Sequence, residues 1–355
     1  MTSRGERAGG MAGEGEASER EASRTASSRG ERAGEMAGEG EASEREASRT
    51  ITSERPGFLD TKRVAEFWDD ARKSADEDKQ SGYLQDEWPT ALGMNRFAGE
   101  WKLVASWLDR YAVPRGACLD VGCGVGIWLE ELAQRFERAD GIDLSSEMVA
   151  STAKRLAHLP NVQVSVQGVD DLPADRRYDF IFVGGVLMYV NDELVEGVIA
   201  KLASMLNPGG LVVFRESTAN GRTWYRDTPL QPGLFADRTQ PRPPYFAIYR
   251  TPDSYPQLIA KQSLVLVRTQ PNKLYKLADV TETWLKLIDK LTLGRLARRR
   301  DSAERAARWL HALRYLTLVP HYYLVWLFAR RSWRLNNYWY VCARRSDGSS
   351  STAVR

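Results

Sequence analysis

The chain has 355 residues, 43% of them hydrophobic and 27% charged, a balance that excludes a fibrous, collagen-like or wholly disordered protein. Its formal charge of +3 is unevenly spread: residues 1–55 carry −3, residues 286–345 carry +11, and the body between them carries −5. Three cysteines and three histidines, scattered along the sequence, exclude a disulfide framework and argue against a zinc site, so no metal is expected.

In chain order, residues 3–27 recur at 28–52 with three differences. The repeat is Gly, Ala, Ser, Glu and Arg with no apolar face to stack, so 1–55 is read as a disordered low-complexity duplication without function of its own. The hydrophilic start resembles no secretory signal, and the longest apolar run, 316–329, is too short to span a bilayer; the expected location is the cytoplasm. Apolar residues at helical spacing predict helices over 59–79 and 97–111, with Trp101, Val104, Trp107 and Leu108 on one face of the second. Strands and helices then alternate. CLDVG (118–122), ADGIDL, VQVSVQ, YDFIFVGGV (178–186) and LVVFRE (211–216) read as strands, with helices over 127–136, from a Ser145 or Ser146 cap toward His158, and over 192–206 before the breaker NPGG. That rhythm predicts an α/β fold: a Rossmann-like, mostly parallel sheet with helices on both faces.

Beyond Glu216 the rhythm fails. Residues 217–251, rich in Pro, Arg and Tyr, read as a long loop or lid; 253–261 as a short helix; 263–270 as a strand; and 275–335 as arginine-rich helix. A last strand is expected over 337–345. The divisions are therefore a tail at 1–55, a core at 56–271 with N-terminal lid helices, a basic aromatic helical insertion at 272–336, the last core strand at 337–345, and a tail at 346–355.

The sharpest motif is LDVGCGVG, with Asp120 ahead of Gly122, Gly124 and Gly126, placed directly after a strand and opening a helix. Ile127 stands where a dinucleotide fingerprint requires glycine, and no Gly-Lys-Ser/Thr follows to hold a triphosphate. The next strand, in GIDLSSEM, ends on Asp143, an acid placed to accept hydrogen bonds from both hydroxyls of a ribose. A glycine-rich turn beside an acid-tipped second strand implies a nucleoside-containing cofactor at the carboxyl edge of the sheet.

Together LDVGCGVG, GIDLSSEM, YDFIFVGGVLMYVND and LNPGGLVVFRES resemble the class I S-adenosylmethionine-dependent methyltransferases, over about residues 60–271 plus the last strand. The resemblance implies S-adenosyl-L-methionine as cofactor. Asp120, Gly122, Gly124 and Gly126 would meet its methionine portion, Asp143 its ribose, and Leu144 its adenine. The adenine loop departs from the family pattern: Gly168 stands at the usual Asp position, so that contact falls to Asp170, to Gln167 or to backbone. Where relatives often carry histidine after the fourth strand, this chain has Tyr189, which can wall the pocket or hydrogen-bond a substrate. Glu216, at the end of the fifth strand, is the other candidate catalytic group. Arg222, Tyr245, Tyr249 and Arg250 lie where the family places substrate-specific insertions and could clamp a phosphate, carboxylate or sugar.

The expected activity is methylation of O or N on a small molecule such as a sugar, an amine or a lipid-linked intermediate. Two other classes compete with it. Segment 286–335 mixes Arg with Trp and Tyr, which fits peripheral contact with an anionic membrane, a nucleic-acid surface, or a helical cap with solvated arginines. A membrane-surface module with a silent methyltransferase fold would use the first. A nucleic-acid methyltransferase would use the second, but Arg242-Pro243-Pro244-Tyr245 lacks the Asn or Asp that opens the tetrapeptide of amino-methylating DNA enzymes.

Overall fold

The computed structural model describes residues 59–73, 89–230, 233–235, 239, 243–310, 312–313 and 335–345. The expected tails at 1–55 and 346–355, the end of the first helix at 74–79, and residues 311 and 314–334 of the basic segment lie outside the described residues.

Among the described residues, nine strands and seven labelled helices follow in this order: α1 Thr61–Lys73, α2 Thr90–Arg110, β1 Ala117–Val121, α3 Ile127–Ala133, β2 Arg138–Asp143, α4 Ser146–Arg155, β3 Val162–Val166, β4 Tyr178–Gly184, α5 Asp192–Met205, β5 Leu206–Ala219, β6 Trp224–Pro229, β7 Pro244–Tyr249, α6 Ser254–Ala260, β8 Leu264–Pro271, α7 Lys273–Leu291 and β9 Leu335–Arg344. A further helix runs over 300–310. Seven strands form one sheet in the order β3-β2-β1-β4-β5-β9-β8. Strands β1 to β5 pair in parallel, while β9 runs antiparallel to both β5 and β8. The strand order turns back on itself between β1 and β4, and in such sheets ligands bind in the crevice beyond the carboxyl ends of the strands there.

The period-two alternation of the strands builds two cores, one on each face. Leu119, Val121, Ile181 and Val183 pack with Val195, Ile199 and Leu202 of α5 and Ile259 of α6. Cys118, Phe180, Phe182 and Val213 pack on the other face with Val104, Trp107 and Leu108 of α2, Leu129 and Leu132 of α3, and Trp339. The sequence reading placed the elements of this sheet, and the structure alters three of its details. Helix α2 begins seven residues before Phe97. Strand β5 starts directly after Met205, so NPGG forms an irregular strand opening with Gly209 at φ +78° instead of a separate turn. Residues 217–251 are not a loop: Trp224–Pro229 and Pro244–Tyr249 pair as an antiparallel hairpin.

The insertion between β8 and β9 packs on α2. A Cβ at Gly99 would lie 2.8 Å from Leu274 Cδ1, so glycine there lets α7 approach α2 closely. Helix α2 has Pro89 at its N-cap and no side-chain cap of its own. Glu304, from the helix over 300–310, supplies one: the backbone N–H groups of Thr90 and Ala91 donate to its carboxylate at 2.5 and 3.0 Å.

Candidate active site

A cavity of about 1000 Å³ opens at the carboxyl edge of β1, β2 and β4, and its lining runs from the glycine turn to the hairpin and the insertion. Asp120, Gly122, Gly124, Asp143, Leu144 and Asp170 line one end, while Gly126 serves as the left-handed N-cap of α3 behind them. Gly122 sits at φ +69°, and a Cβ there would lie 2.4 Å from Val186 Cγ2, so the turn admits no side chain. A Cβ at Gly124 would meet nothing within 4 Å: that glycine faces open space. Gly124 N and Ser145 N each donate to Asp143 at 2.9 Å, one to each carboxylate oxygen. Each oxygen keeps a further lone pair for a ligand hydroxyl. Asp120 is buried, and its Oδ2 has no hydrogen-bond partner. Burial, and then the nearby Asp143, push its carboxyl up to about 7. A ligand ammonium at Oδ2 would satisfy that atom, so these residues fit the methionine and ribose portions of S-adenosylmethionine. In the adenine loop the two acids differ: Asp171 accepts from Gly168 N at 3.1 Å, whereas Asp170 is exposed and lines the cavity.

The opposite wall is aromatic. Tyr189, Tyr245, Tyr249, Trp224 and Trp68 line it, with Arg226 beside them. Tyr189, Tyr245 and Tyr249 therefore share one wall, and Arg222 and Arg250 do not. Arg222 is exposed in the turn between β5 and β6 and is not among the lining residues. Arg250 is buried; it donates to Asp192 at 2.8 Å and to the carbonyls of Leu187 and Val190 at 2.7 Å each, and so holds the turn after β4.

Glu216 is also displaced from the expected position. Alternation along β5 sends Arg215 and Ser217 toward the cavity and Glu216 to the other face. There Val186 N and Leu187 N donate to its Oε1 at 3.1 and 3.2 Å. Its Oε2 is buried without a partner, and burial pushes the carboxyl up to about 7 against those two amides and the charges of Arg215 and Arg250. Glu216 shapes the turn that carries Tyr189 and does not line the cavity.

The sequence reading missed a buried charge network in the cavity wall. Arg215 donates to Glu100 Oε2 at 2.7 Å, Asn272 donates to Glu100 Oε1 at 2.7 Å, and Arg96 Nε lies 3.4 Å from the same oxygen. The Arg215 guanidinium carbon lies 5.5 and 5.8 Å from the ring centres of Trp128 and Phe182, which stack on each other with their centres 4.2 Å apart. Burial pushes the Glu100 carboxyl up, but the two arginines and the Asn272 hydrogen bond outweigh it and hold the group below the usual range. From α7, Tyr275 and Asp279 reach the same cavity; burial and the neighbouring Glu282 push Asp279 up to about 6. The one sequence signal was Arg96 and Glu100 at i, i+4 spacing on a helix face otherwise destined for the core.

Residues 118–210 match the methyltransferase-domain family. The chain is 31% identical over 143 residues to nodulation protein S of Sinorhizobium fredii, covering 40% of this chain and 66% of that protein. It is 36% identical over 116 residues to a malonyl-[acyl-carrier protein] O-methyltransferase of Halalkalibacterium halodurans, covering 31% and 41%. Among solved structures, phosphoethanolamine N-methyltransferase 1 of Haemonchus contortus superposes with a TM-score of 0.48 at 15% identity, over 83% of this chain and 51% of that one. The chain spans between 37% and 58% of the length of the malonyl-[acyl-carrier protein] O-methyltransferases it matches. The strand and glycine-turn core at residues 118–210 is thus a methyltransferase domain.

Proposed function

We propose that this protein transfers a methyl group from S-adenosylmethionine to an O or N atom of a small molecule held between the glycine turn and the aromatic wall. The observation that carries this reading is the single cavity lined by Asp120, Gly122, Gly124 and Asp143 at one end and by Tyr189, Tyr245 and Tyr249 at the other. When bound, the cofactor supplies a methyl carbon made electrophilic by a sulfonium. Asp143 would accept from its ribose hydroxyls, Asp120 Oδ2 would take its ammonium, and Leu144 and Asp170 would border its adenine. The chain's further task is positioning: the acceptor atom must stand in line behind the methyl, about 3 Å away, with water excluded. Tyr189 touches the acceptor, and the apolar hairpin wall excludes water. Calorimetric titration of S-adenosylmethionine and S-adenosylhomocysteine into the full chain tests this reading. Micromolar binding supports it, and no binding by a well-folded chain removes it.

A second observation supports peripheral membrane contact. Among the described residues no helix is long and apolar enough to cross a membrane. Leu291, Leu293 and Trp309 are nevertheless 74%, 79% and 68% exposed in a segment that also carries Arg295, Arg298, Arg299, Arg300, Arg305 and Arg308. Apolar side chains set among arginines match the interface of an anionic bilayer. Sedimentation with phosphatidylglycerol vesicles, and not with phosphatidylcholine vesicles alone, is the expected result, and equal recovery with both would remove the reading.

A further inference from the structure

The cavity face of the hairpin is aromatic except at one place. Side chains alternate along each strand, so Trp224 and Arg226 of β6 share with Tyr245 and Tyr249 of β7 the face that lines the cavity. In the register, Trp224 stands opposite Tyr249, Arg226 opposite Ala247, and Thr228 opposite Tyr245. Ala247 is the smallest side chain on this face, which gives Arg226 room between the aromatic rows. The rings of Trp224 and Tyr245 lie 5.7 and 5.6 Å from its guanidinium carbon. Its own strand end aims the head: Nε donates to Thr228 O at 3.2 Å and Nη2 to Pro229 O at 2.7 Å. A guanidinium has five N–H donors, so these bonds fix its plane without exhausting it.

Charge balance separates Arg226 from the other cations. Among the described residues, four cationic side chains line the cavity: Arg96, Arg215, Arg226 and Lys286. Arg96 and Arg215 share Glu100 at 3.4 and 2.7 Å, and Lys286 pairs with Glu282 at 2.8 Å. Arg226 has no ion pair among the described residues; its hydrogen bonds to Thr228 and Pro229 go to neutral carbonyls. A charge drawn partly out of water without an opposite charge is costly, and an anion in the cavity offsets that cost. Aromatic rings alone would suit an ammonium, but Arg226 already stands over two of them and repels a second cation. The cofactor's carboxylate has a cation of its own, because the charge of Arg215 acts on Asp120, the residue that fits the methionine ammonium.

We propose that Arg226 determines acceptor specificity by pairing with an oxyanion group, a carboxylate or a phosphate, carried by the acceptor molecule, while Trp224, Tyr245 and Tyr249 pack on its apolar body. This deepens the methyltransferase reading above and rests on it. The planar fork of a guanidinium meets two oxygens of such a group at once, with a geometry that an ammonium does not offer. An acceptor of the same shape that lacks the anion leaves Arg226 unpaired and is rejected for that reason, since a polar site discriminates most strongly against the ligand that fails to satisfy it.

The test uses the full chain saturated with S-adenosylhomocysteine and titrated with four probes that share one ring: benzoate, phenyl phosphate, benzyl alcohol and benzylamine. At least one anion is expected to bind about tenfold or more tighter than benzyl alcohol, as hydrogen bonds to a charged group allow, with benzylamine the weakest. Which anion wins tells a carboxylate acceptor from a phosphate. Arg226→Gln is expected to bring the anions to within about twofold of benzyl alcohol, whose own affinity stays unchanged, a split that general damage to the wall would not give. Arg226→Lys keeps the charge without the fork and should retain part of the preference; if the glutamine variant does not fold, a lysine variant with the full wild-type preference overturns the proposal. Either neutral or cationic probe binding as tightly as the anions, no probe binding, or a preference that survives Arg226→Gln would each overturn it and leave the methyltransferase reading standing. A loss of S-adenosylhomocysteine affinity in Arg226→Gln would assign the residue to the cofactor and also overturn it. Failure of S-adenosylhomocysteine to bind the folded wild-type chain would remove the methyltransferase reading, and the proposal with it.

Discussion

The two ends of the cavity are built by different means. The cofactor end is local: Asp120 to Gly126 is one turn, Asp143 lies at the tip of the neighbouring strand, and the backbone amides of Gly124 and Ser145, 19 and 2 residues away, hold Asp143 in place. The acceptor end is assembled at long range, from α1, α2, a hairpin, the insertion and the last strand. Glu100, Arg215, Asn272 and Asn337 meet there although as many as 172 residues separate one bonded pair. A turn can be kept by a few glycines and an acid, whereas a wall of distant side chains needs every element in place. The first end should therefore fail in binding when it is mutated, and the second in folding.

The largest effect is expected at Glu100. Glu100→Ala leaves Arg96 and Arg215 facing each other in a buried wall, and breaking a buried ion pair from one side costs about 3–5 kcal/mol. Denaturant unfolding should show that loss; a change of under about 1 kcal/mol would mean that water enters the network and that the two ends are less different than drawn. Asp143→Ala tests the other end. It is expected to weaken S-adenosylhomocysteine binding about a hundredfold, since two charge-assisted hydrogen bonds to the ribose are lost. A fall in stability without a loss of binding would show that Asp143 serves only Gly124 and Ser145.

What was legible in the sequence follows the same division. The sheet, its strands and the glycine turn were readable because period-two runs and φ-positive glycines leave local marks, as in LDVGCGVG. Tyr189 was noticed because it follows a recognisable strand, and it lies on the cavity wall. Glu216 was misassigned because a strand end read as a position hides which face a residue takes; one step along β5 separates Arg215, in the wall, from Glu216, behind it. Arg250 looked like a substrate clamp because charge is visible in sequence, while its partners, the Asp192 carboxylate and the carbonyls of Leu187 and Val190, are not. Arg226 was overlooked because Pro-rich flanks disguised the hairpin as a loop.

Glu216 gives a smaller effect that sharpens this correction. The folded carboxyl keeps its proton until about pH 7, while in the unfolded chain it is lost in the ordinary glutamate range. Between those limits the folded state binds more protons, so this group's contribution makes stability fall as pH rises. Glu216→Gln keeps an acceptor for Val186 N and Leu187 N and removes the titration. It should flatten the fall in stability between pH 5 and pH 8 by roughly 1–3 kcal/mol, on the scale of one pKa unit per 1.36 kcal/mol. Turnover should remain within a few-fold of wild type. A glutamine variant that is folded but inactive would restore Glu216 to the catalytic set.

The smallest effect probes the element that joins the two ends. Helix α1 is tied at its start, where Leu59 N donates to Asn191 Oδ1 at 3.1 Å and Asn191 Nδ2 donates to Leu59 O at 2.8 Å, just beyond Tyr189. It is tied near its end by Asp69, which accepts from Ser145 Oγ at 2.6 Å and from Glu147 N at 3.1 Å, at the head of the helix that follows Asp143. Ser145 Oγ accepts from Met148 N as the helix's own cap, so Asp69 adds a second acceptor and a negative charge at a helix N-terminus. Burial raises the Asp69 carboxyl, but the hydrogen bonds and Lys73 outweigh it and hold the group below its usual value. Its contribution is therefore present above the ordinary aspartate pKa and is lost as pH falls through the lower folded value. Asp69→Asn should cost about 1 kcal/mol near neutral pH and almost nothing in acid, where wild type and variant carry the same charge. Because α1 also lines the cavity through Trp68, the variant should slow neither end alone but lower S-adenosylhomocysteine and acceptor affinity by a similar small factor. If only cofactor affinity falls, Asp69 is a cap for α4 and nothing more, and the two ends of the cavity are not coupled through α1.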